Sequence, residues 1–332
     1  MLDNNIKSLC KEYEGYFQIG AAVNTRVIKS HKDLIIKHFN SITAENEMKP
    51  VSVQKSEGEY TFEKADALVE FANANNMRVR GHTLVWHNQT PDWFFTDKEG
   101  KPASRELLLK RMKEHIHTVA SHFKGKTYCW DVVNEAVADN PEEYLRKSKW
   151  LGLVGEDFIE KAFEYAHESD PDALLFYNDY NESVPEKCEN ICRLVKSLKD
   201  KDVPIHGIGM QGHWSIYWPS IDMIRKAMDR YASLGLQLQI TELDVSLYDP
   251  SYKGKDLKAP LPDLLKMQEE YYGRIFEVFR EYKDVITNVT FWGAADDVTW
   301  LYNFPVRERK NWPLLFDGDQ QPKAAYYSVI GK

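Results

Sequence analysis

The chain has 332 residues, enough for one large domain or two ordinary ones. Its apolar (43%) and charged (28%) shares are those of an average globular protein, which excludes disordered, collagenous and coiled-coil readings. Forty-three basic against 51 acidic residues give a net charge of −8 with no basic stripe, so no nucleic-acid partner is expected.

The amino-terminal MLDNNIKSLC has no apolar core and carries Asp3, which does not read as a secretory leader. No apolar run approaches the roughly 18 residues of a membrane span, so no membrane association is expected. Four cysteines, Cys10, Cys129, Cys188 and Cys192, do not make a disulfide framework. A cytoplasmic location is the simplest expectation.

Eight short β-like runs follow one another: 16–24, 41–46, 77–86, 128–136, 173–181, 205–214, 236–246 and 288–296. Each is apolar, rich in aromatic or β-branched residues, and turns polar at its carboxyl end, as strands buried on both faces do in parallel sheets. Amphipathic stretches separate them. The segment 27–39 precedes the second run, 62–76 the third, 104–123 the fourth, 155–170 the fifth and 185–200 the sixth. The stretch 220–235 precedes the seventh, with Ser220 placed to cap its start and Gly235 its end; 263–284 precedes the eighth, and 322–330 closes the chain. The Pro- and Lys-rich 248–263 fits a long loop after the seventh run, and no linker splits the chain. Eight alternating units predict a single (β/α)₈ barrel spanning 1–332.

In such a barrel the chemistry sits at the carboxyl ends of the strands. The second run ends in Glu45 and Asn46, followed by Glu47 and Lys49; the third carries His82, Trp86 and His87. The fourth ends in Asn134 and Glu135, the sixth in Gln211, His213 and Trp214. The seventh carries Glu242 and Asp244, and the eighth Trp292 and Asp296, with Trp300 beyond. Glu135 closes an apolar run, and a partly desolvated carboxyl there is pushed towards the protonated form that a general acid needs. Glu242 and Asp244, two apart on a strand, share a face. A His213 held between them would orient Glu242 and keep it ionised, as a carboxylate nucleophile requires. Paired carboxylates facing across a barrel mouth are suited to glycoside cleavage. The 42 aromatic residues then find a use, because Trp86, Trp292 and Trp300 stand where sugar rings could stack.

The segments TAENEMK (43–49), GHTLVWH (81–87), WDVVNEA (130–136), GMQGHW (209–214), ITELDV (240–245) and FWGAADDVTWL (291–301) resemble, in order, the signature segments of family 10 glycoside hydrolases, the endo-β-1,4-xylanases. The resemblance covers essentially the whole chain. It implies Glu135 as acid/base and Glu242 as nucleophile of a retaining double displacement, with Asn134 on the sugar 2-hydroxyl. It implies His213 orienting Glu242 with Asp244 behind it, and His82, Trp86, Gln211, Trp292 and Trp300 lining the site. Glu45, Asn46 and Lys49 would grip the next sugar towards the non-reducing end. The implied partners are xylan and xylo-oligosaccharides, with no cofactor and no metal. The chain departs from the family's eighth-strand pattern at Ala294, Ala295 and Thr299, and it carries no recognisable carbohydrate-binding module or export signal.

Other signals carry less. Gly207, Gly209 and Gly212 satisfy G-x-G-x-x-G, but HWSIYWPS follows where a dinucleotide fold needs a helix. His115, His117 and His122 lie on one amphipathic stretch without a metal-binding spacing, and Cys188 and Cys192 read as free thiols one helical turn apart. The glycosylation-like triplets at Asn88, Asn181 and Asn288 are expected by chance. A barrel glycosidase for β-1,4-glucan or a β-galactoside is the nearest competing reading, and the cluster of Glu45, Asn46 and Lys49 with Trp300 favours the xylose unit. A sugar-binding barrel without catalysis would have lost one of the two carboxylates.

Overall fold

The computed structural model describes residues 6–255 and 257–331. The amino-terminal residues 1–5, on which the reading of the leader rests, lie outside the described residues. Among the described residues the strands are β1 (Gln18–Val23), β2 (Ser41–Ala44), β3 (Arg78–Trp86), β4 (Cys129–Asn134) and β5 (Leu174–Asp179). They continue with β6 (Gly207–Met210), β7 (His213–Ser215), β8 (Gln237–Ser246) and β9 (Ile286–Phe291). All pairings between them are parallel. β1 to β6 pair in chain order, β6 pairs with β8, β8 with β9, and β9 returns to β1. This closed parallel barrel with helices between its strands is a (β/α)₈ barrel, as the alternating pattern predicts.

One expected strand is divided. The sixth run, 205–214, forms β6, breaks at Gln211 and Gly212, and resumes as β7. Gly212 sits at φ +75°, a backbone region open to glycine without cost, and the turn there aims Gln211 and His213 into the mouth. The stretch 27–39 is also two helices, Val27–Ser30 and Lys32–His38, separated at His31. There the buried His31 ring meets Ser30 Oγ (2.8 Å) and Asp297 Oδ1 (3.0 Å). The helix Ile221–Ala232 begins as expected, with Ser220 Oγ accepting from the Met223 N–H. Gly235, at φ +68°, lies three residues past its last residue, so Ser233 and not Gly235 is the C-cap.

Helix Pro262–Glu281 packs on Ala324–Ile330, and together they tie the two ends of the chain. Arg280 donates to the Tyr13 hydroxyl, which donates to the Val329 carbonyl (2.6 Å). Inside the barrel the core is partly polar. Fully buried Arg80 on β3 donates to both carboxylate oxygens of Asp131 on β4 and, through Nε, to Gln239 on β8 (2.9 Å). A buried pair of this kind is costly to desolvate and holds only when its remaining hydrogen bonds are met. Here the third demand on Asp131 comes from His82 Nδ1 (2.8 Å), which connects the barrel floor to its mouth.

Candidate active site

The carboxyl ends of the strands open into a groove of about 690 Å³. All thirteen residues singled out as catalytic, supporting or substrate-binding line it: Glu45, Asn46, Lys49, His82, Trp86, Asn134, Glu135, Gln211, His213, Glu242, Asp244, Trp292 and Trp300. Two strand-end acids do not reach it. Glu47 turns back to accept from the backbone N–H groups of Thr25 and Asn46. Asp296 is buried behind the wall, where it accepts from Lys323 Nζ (3.0 Å) and the Leu314 N–H (2.8 Å). The groove also takes in Asn88 and Asn181, two of the three chance triplets.

Glu135 follows the last residue of β4 and has a left-handed backbone, φ +58°. A non-glycine residue held there is strained, and two hydrogen bonds fix it. Its N–H donates to the Asn178 carbonyl (2.9 Å), and its carbonyl accepts from Arg146 Nε (2.9 Å). The side chain is surrounded by neutral donors: Trp86 Nε1 (2.8 Å) on Oε2, with Gln211 Nε2 (2.9 Å) and Asn134 Nδ2 (3.1 Å) on Oε1. Burial is the dominant influence and pushes its pKa above the ordinary 4.5. The charges of Asp179 and Glu242 push the same way, against the hydrogen bonds from Gln211 and Trp86. His87 Nδ1 lies 3.9 Å from Oε2. Burial and the nearby Arg146 lower its pKa to about 4, so at neutral pH it is an uncharged neighbour.

Glu242 on β8 is the opposite case. His213 bridges it to Asp244, with Nε2 3.1 Å from Glu242 Oε2 and Nδ1 3.1 Å from Asp244 Oδ2. Burial alone would raise the Glu242 pKa. The His213 hydrogen bond, the charges of His82 and His213 and the Lys49 ammonium outweigh it and hold the carboxyl at about 2. Burial pulls His213 down, but its two carboxylates lift it to about 10. Lys49 is 6% exposed. Desolvation lowers its pKa even though Glu242, Glu45, Glu135 and Glu47 all favour its charge. Its Nζ donates to Asn46 Oδ1 (3.0 Å) and sits 5.2 Å from the centre of the Trp86 ring, while Glu45 accepts from Asn24 Nδ2 (2.9 Å).

Three residues that the sequence reading missed hold this arrangement. Asn178 Nδ2 donates to both Asn134 Oδ1 and Glu242 Oε1, each at 2.8 Å, and Asn178 Oδ1 accepts from the Thr241 hydroxyl (2.6 Å). It stands between the two acids on β5, whose polar NDYN ending was the available signal. Arg146 lies in a loop with no strand-end cue, and Asp131 reads from sequence as an ordinary polar interruption of an apolar run. Trp300 is tethered more firmly than expected, its Nε1 donating to Asp244 Oδ2 (2.7 Å). Phe304 stacks on it at 4.8 Å.

The model of glycosyl hydrolase family 10 matches residues 8–332. The chain belongs to glycosyl hydrolase family 10. Among its relatives, an endo-1,4-β-xylanase B from Paenibacillus barcinonensis is 54% identical over 331 residues, 100% of both chains. An endo-1,4-β-xylanase from Geobacillus stearothermophilus is 55% identical over 329 residues, 98% of this chain and 99% of the relative. The crystal structure of the P. barcinonensis xylanase XynB with a conduramine derivative superposes with a TM-score of 0.98 at 54% identity, covering 99% of each chain. That of an intracellular xylanase from Thermoanaerobacterium saccharolyticum, a mutant with xylotriose, gives 0.91 at 47% identity, covering 99% of this chain and all of the other. Among the described residues no helix is long and apolar enough to cross a membrane.

Proposed function

We propose that this family 10 glycoside hydrolase is an endo-β-1,4-xylanase acting on xylan and xylo-oligosaccharides by retention, with Glu135 as acid/base and Glu242 as nucleophile. The observation that carries the assignment is the division of states between the two carboxyls. Glu242 is held ionised by His213 and Lys49, and Glu135 is shifted towards its protonated form by burial. In the first step Glu242 attacks the anomeric carbon while Glu135 gives its proton to the departing glycosidic oxygen, leaving a glycosyl ester on Glu242. Esterification removes the Glu242 charge that helps keep Glu135 protonated. The Glu135 pKa then falls, and its carboxylate draws a proton from the incoming water. Asn134, oriented through its Oδ1 by Asn178, turns its amide N–H groups to the 2-hydroxyl. That bond accelerates the reaction to the extent that it strengthens in the oxocarbenium-like transition state. Trp86, Trp292 and Trp300 stack on the sugars, and Glu45, Asn46 and Lys49 take hydroxyls of the next unit.

The product of two displacements keeps the β configuration. Proton NMR of xylan or xylo-oligosaccharide hydrolysis should show the β anomer first, with carboxymethyl cellulose left intact. An α anomer ahead of mutarotation would remove Glu242 from the nucleophile's role. We further propose a cytoplasmic location, where imported oligosaccharides and not polymer are the substrate. The intracellular relative supports this, as do four free cysteines, which suit a reducing compartment.

A further inference from the structure

One wall of the groove carries a charge that the reaction does not use. Although the protein is acidic overall, the loops after β8 and β9 gather Lys253, Lys255, Lys258, Arg307, Arg309 and Lys310 against only Asp256 and Glu308 within two short stretches. Arg309 joins these loops: Nη1 donates to the Tyr252 carbonyl (2.8 Å), and the guanidinium lies 4.3 Å from the centre of the Tyr248 ring. Both Arg309 and Lys253 line the groove on the side of Trp300 and Phe304.

Arg309 is 3% exposed, yet among the described residues it forms no ion pair, and its Nε has no hydrogen-bond partner. Among the described residues Lys253 has no ion pair either, and its Nζ reaches the Pro250 carbonyl (3.4 Å). Groove-lining Asp249, in the same loop as Lys253, is engaged with the Ser251 N–H (2.8 Å) and hydroxyl (2.5 Å). A sheltered guanidinium is expensive to leave without a counter-charge. Its planar fork matches a carboxylate, and a lysine beside it adds a second positive point. A neutral xylan backbone offers neither cation an anion.

We propose that Lys253 and Arg309 form a seat for the carboxylate of a uronic acid branch on the xylan chain. The groove would then recognise acidic, branched oligosaccharides as well as neutral ones. The inference rests on the xylanase assignment and specifies which substrates that site prefers. Phe304, 55% exposed and stacked on Trp300, is placed to support the branched sugar while the two cations take its charge.

The test compares kcat/KM for linear xylotetraose with that for xylotetraoses bearing one glucuronic acid, with the branch moved from sugar to sugar. In the unmutated enzyme at low salt at least one branched isomer should be favoured by about fivefold or more, as a charged, partly sheltered contact allows. That ratio should fall towards one in 0.5 M sodium chloride and in each of Lys253→Gln and Arg309→Gln. Lys253→Gln alters an exposed side chain, so it remains informative if Arg309→Gln folds poorly. Turnover of linear xylotetraose without preference for any branched isomer, or a preference that survives both substitutions and salt, overturns the seat. Failure to cleave linear xylotetraose would instead refute the xylanase assignment.

Discussion

The ends of β4 and β8 carry the same side chain into the same groove and shift its pKa in opposite directions. At β4, Glu135 meets indole and amide N–H groups, which bring no charge, and burial pushes its pKa up, in the direction a general acid needs. At β8, Glu242 is buried too, but its partners are a doubly engaged imidazolium and a sheltered ammonium, and these overturn burial. Desolvation is thus common to both sites. The kind of donor, neutral or cationic, separates an acid from a nucleophile.

The sharpest way to break this comparison is to truncate each acid. Glu242→Ala should lose roughly ten-thousandfold or more in kcat on every substrate, since no group remains to form the ester. Glu135→Ala should lose as heavily on xylan but much less in the first step with 2,4-dinitrophenyl β-xylobioside, whose leaving group needs no proton. Equal losses on both substrates in the two variants would mean that the roles are not divided as assigned. A milder test exchanges the donors. His213→Gln withdraws the cation that lowers Glu242, so the acid limb of kcat/KM should move to higher pH, with a loss of about tenfold or more. Gln211→Leu withdraws a bond that lowers Glu135, so the alkaline limb should also move up, because the acid keeps its proton longer. A downward shift of either limb would contradict the partner assigned to it.

The smallest effect is on stability. Native His213 keeps its proton up to about pH 10 against an ordinary 6.5, so its contribution is complete below about 6.5 and is lost as pH rises through 10. Native Glu242 stays ionised down to about 2 against an ordinary 4.5, so its contribution is present above about 4.5 and is lost as pH falls through 2. The Tm difference between the unmutated protein and His213→Gln should therefore be widest between about pH 4.5 and 6.5 and shrink on either side. A difference that does not vary with pH would mean that the bridge carries no charge.

Most of the barrel and the acids themselves were legible because a parallel strand buried on both faces leaves an apolar run with a polar end, eight times over. Strand periodicity puts Glu242 and Asp244 on one face, and the order of the runs brings His213 onto the neighbouring strand. What escaped was the material between elements. The break at Gly212 looks like continuous strand, since GIGMQGHW stays apolar and aromatic across it, and only the +75° backbone angle betrays the turn. His31 reads as one more residue of a helix until Asp297, 266 positions away, is brought against it. Asn178 and Asp131 work through contacts with other strands, and such contacts leave no local periodicity. Asp296 was misplaced for the converse reason. It sits at a strand end in the sequence, but Lys323 draws it behind the wall.

The left-handed backbone of Glu135 has a consequence for heredity. At that angle glycine would rest without strain, and losing the sheltered carboxyl would also relieve burial. A lineage selected only for heat resistance would therefore drift towards glycine at position 135 and keep its barrel while losing its chemistry. The glutamate sits at position 135 against the preference of the backbone, and what it returns for that strain is chemistry and not stability.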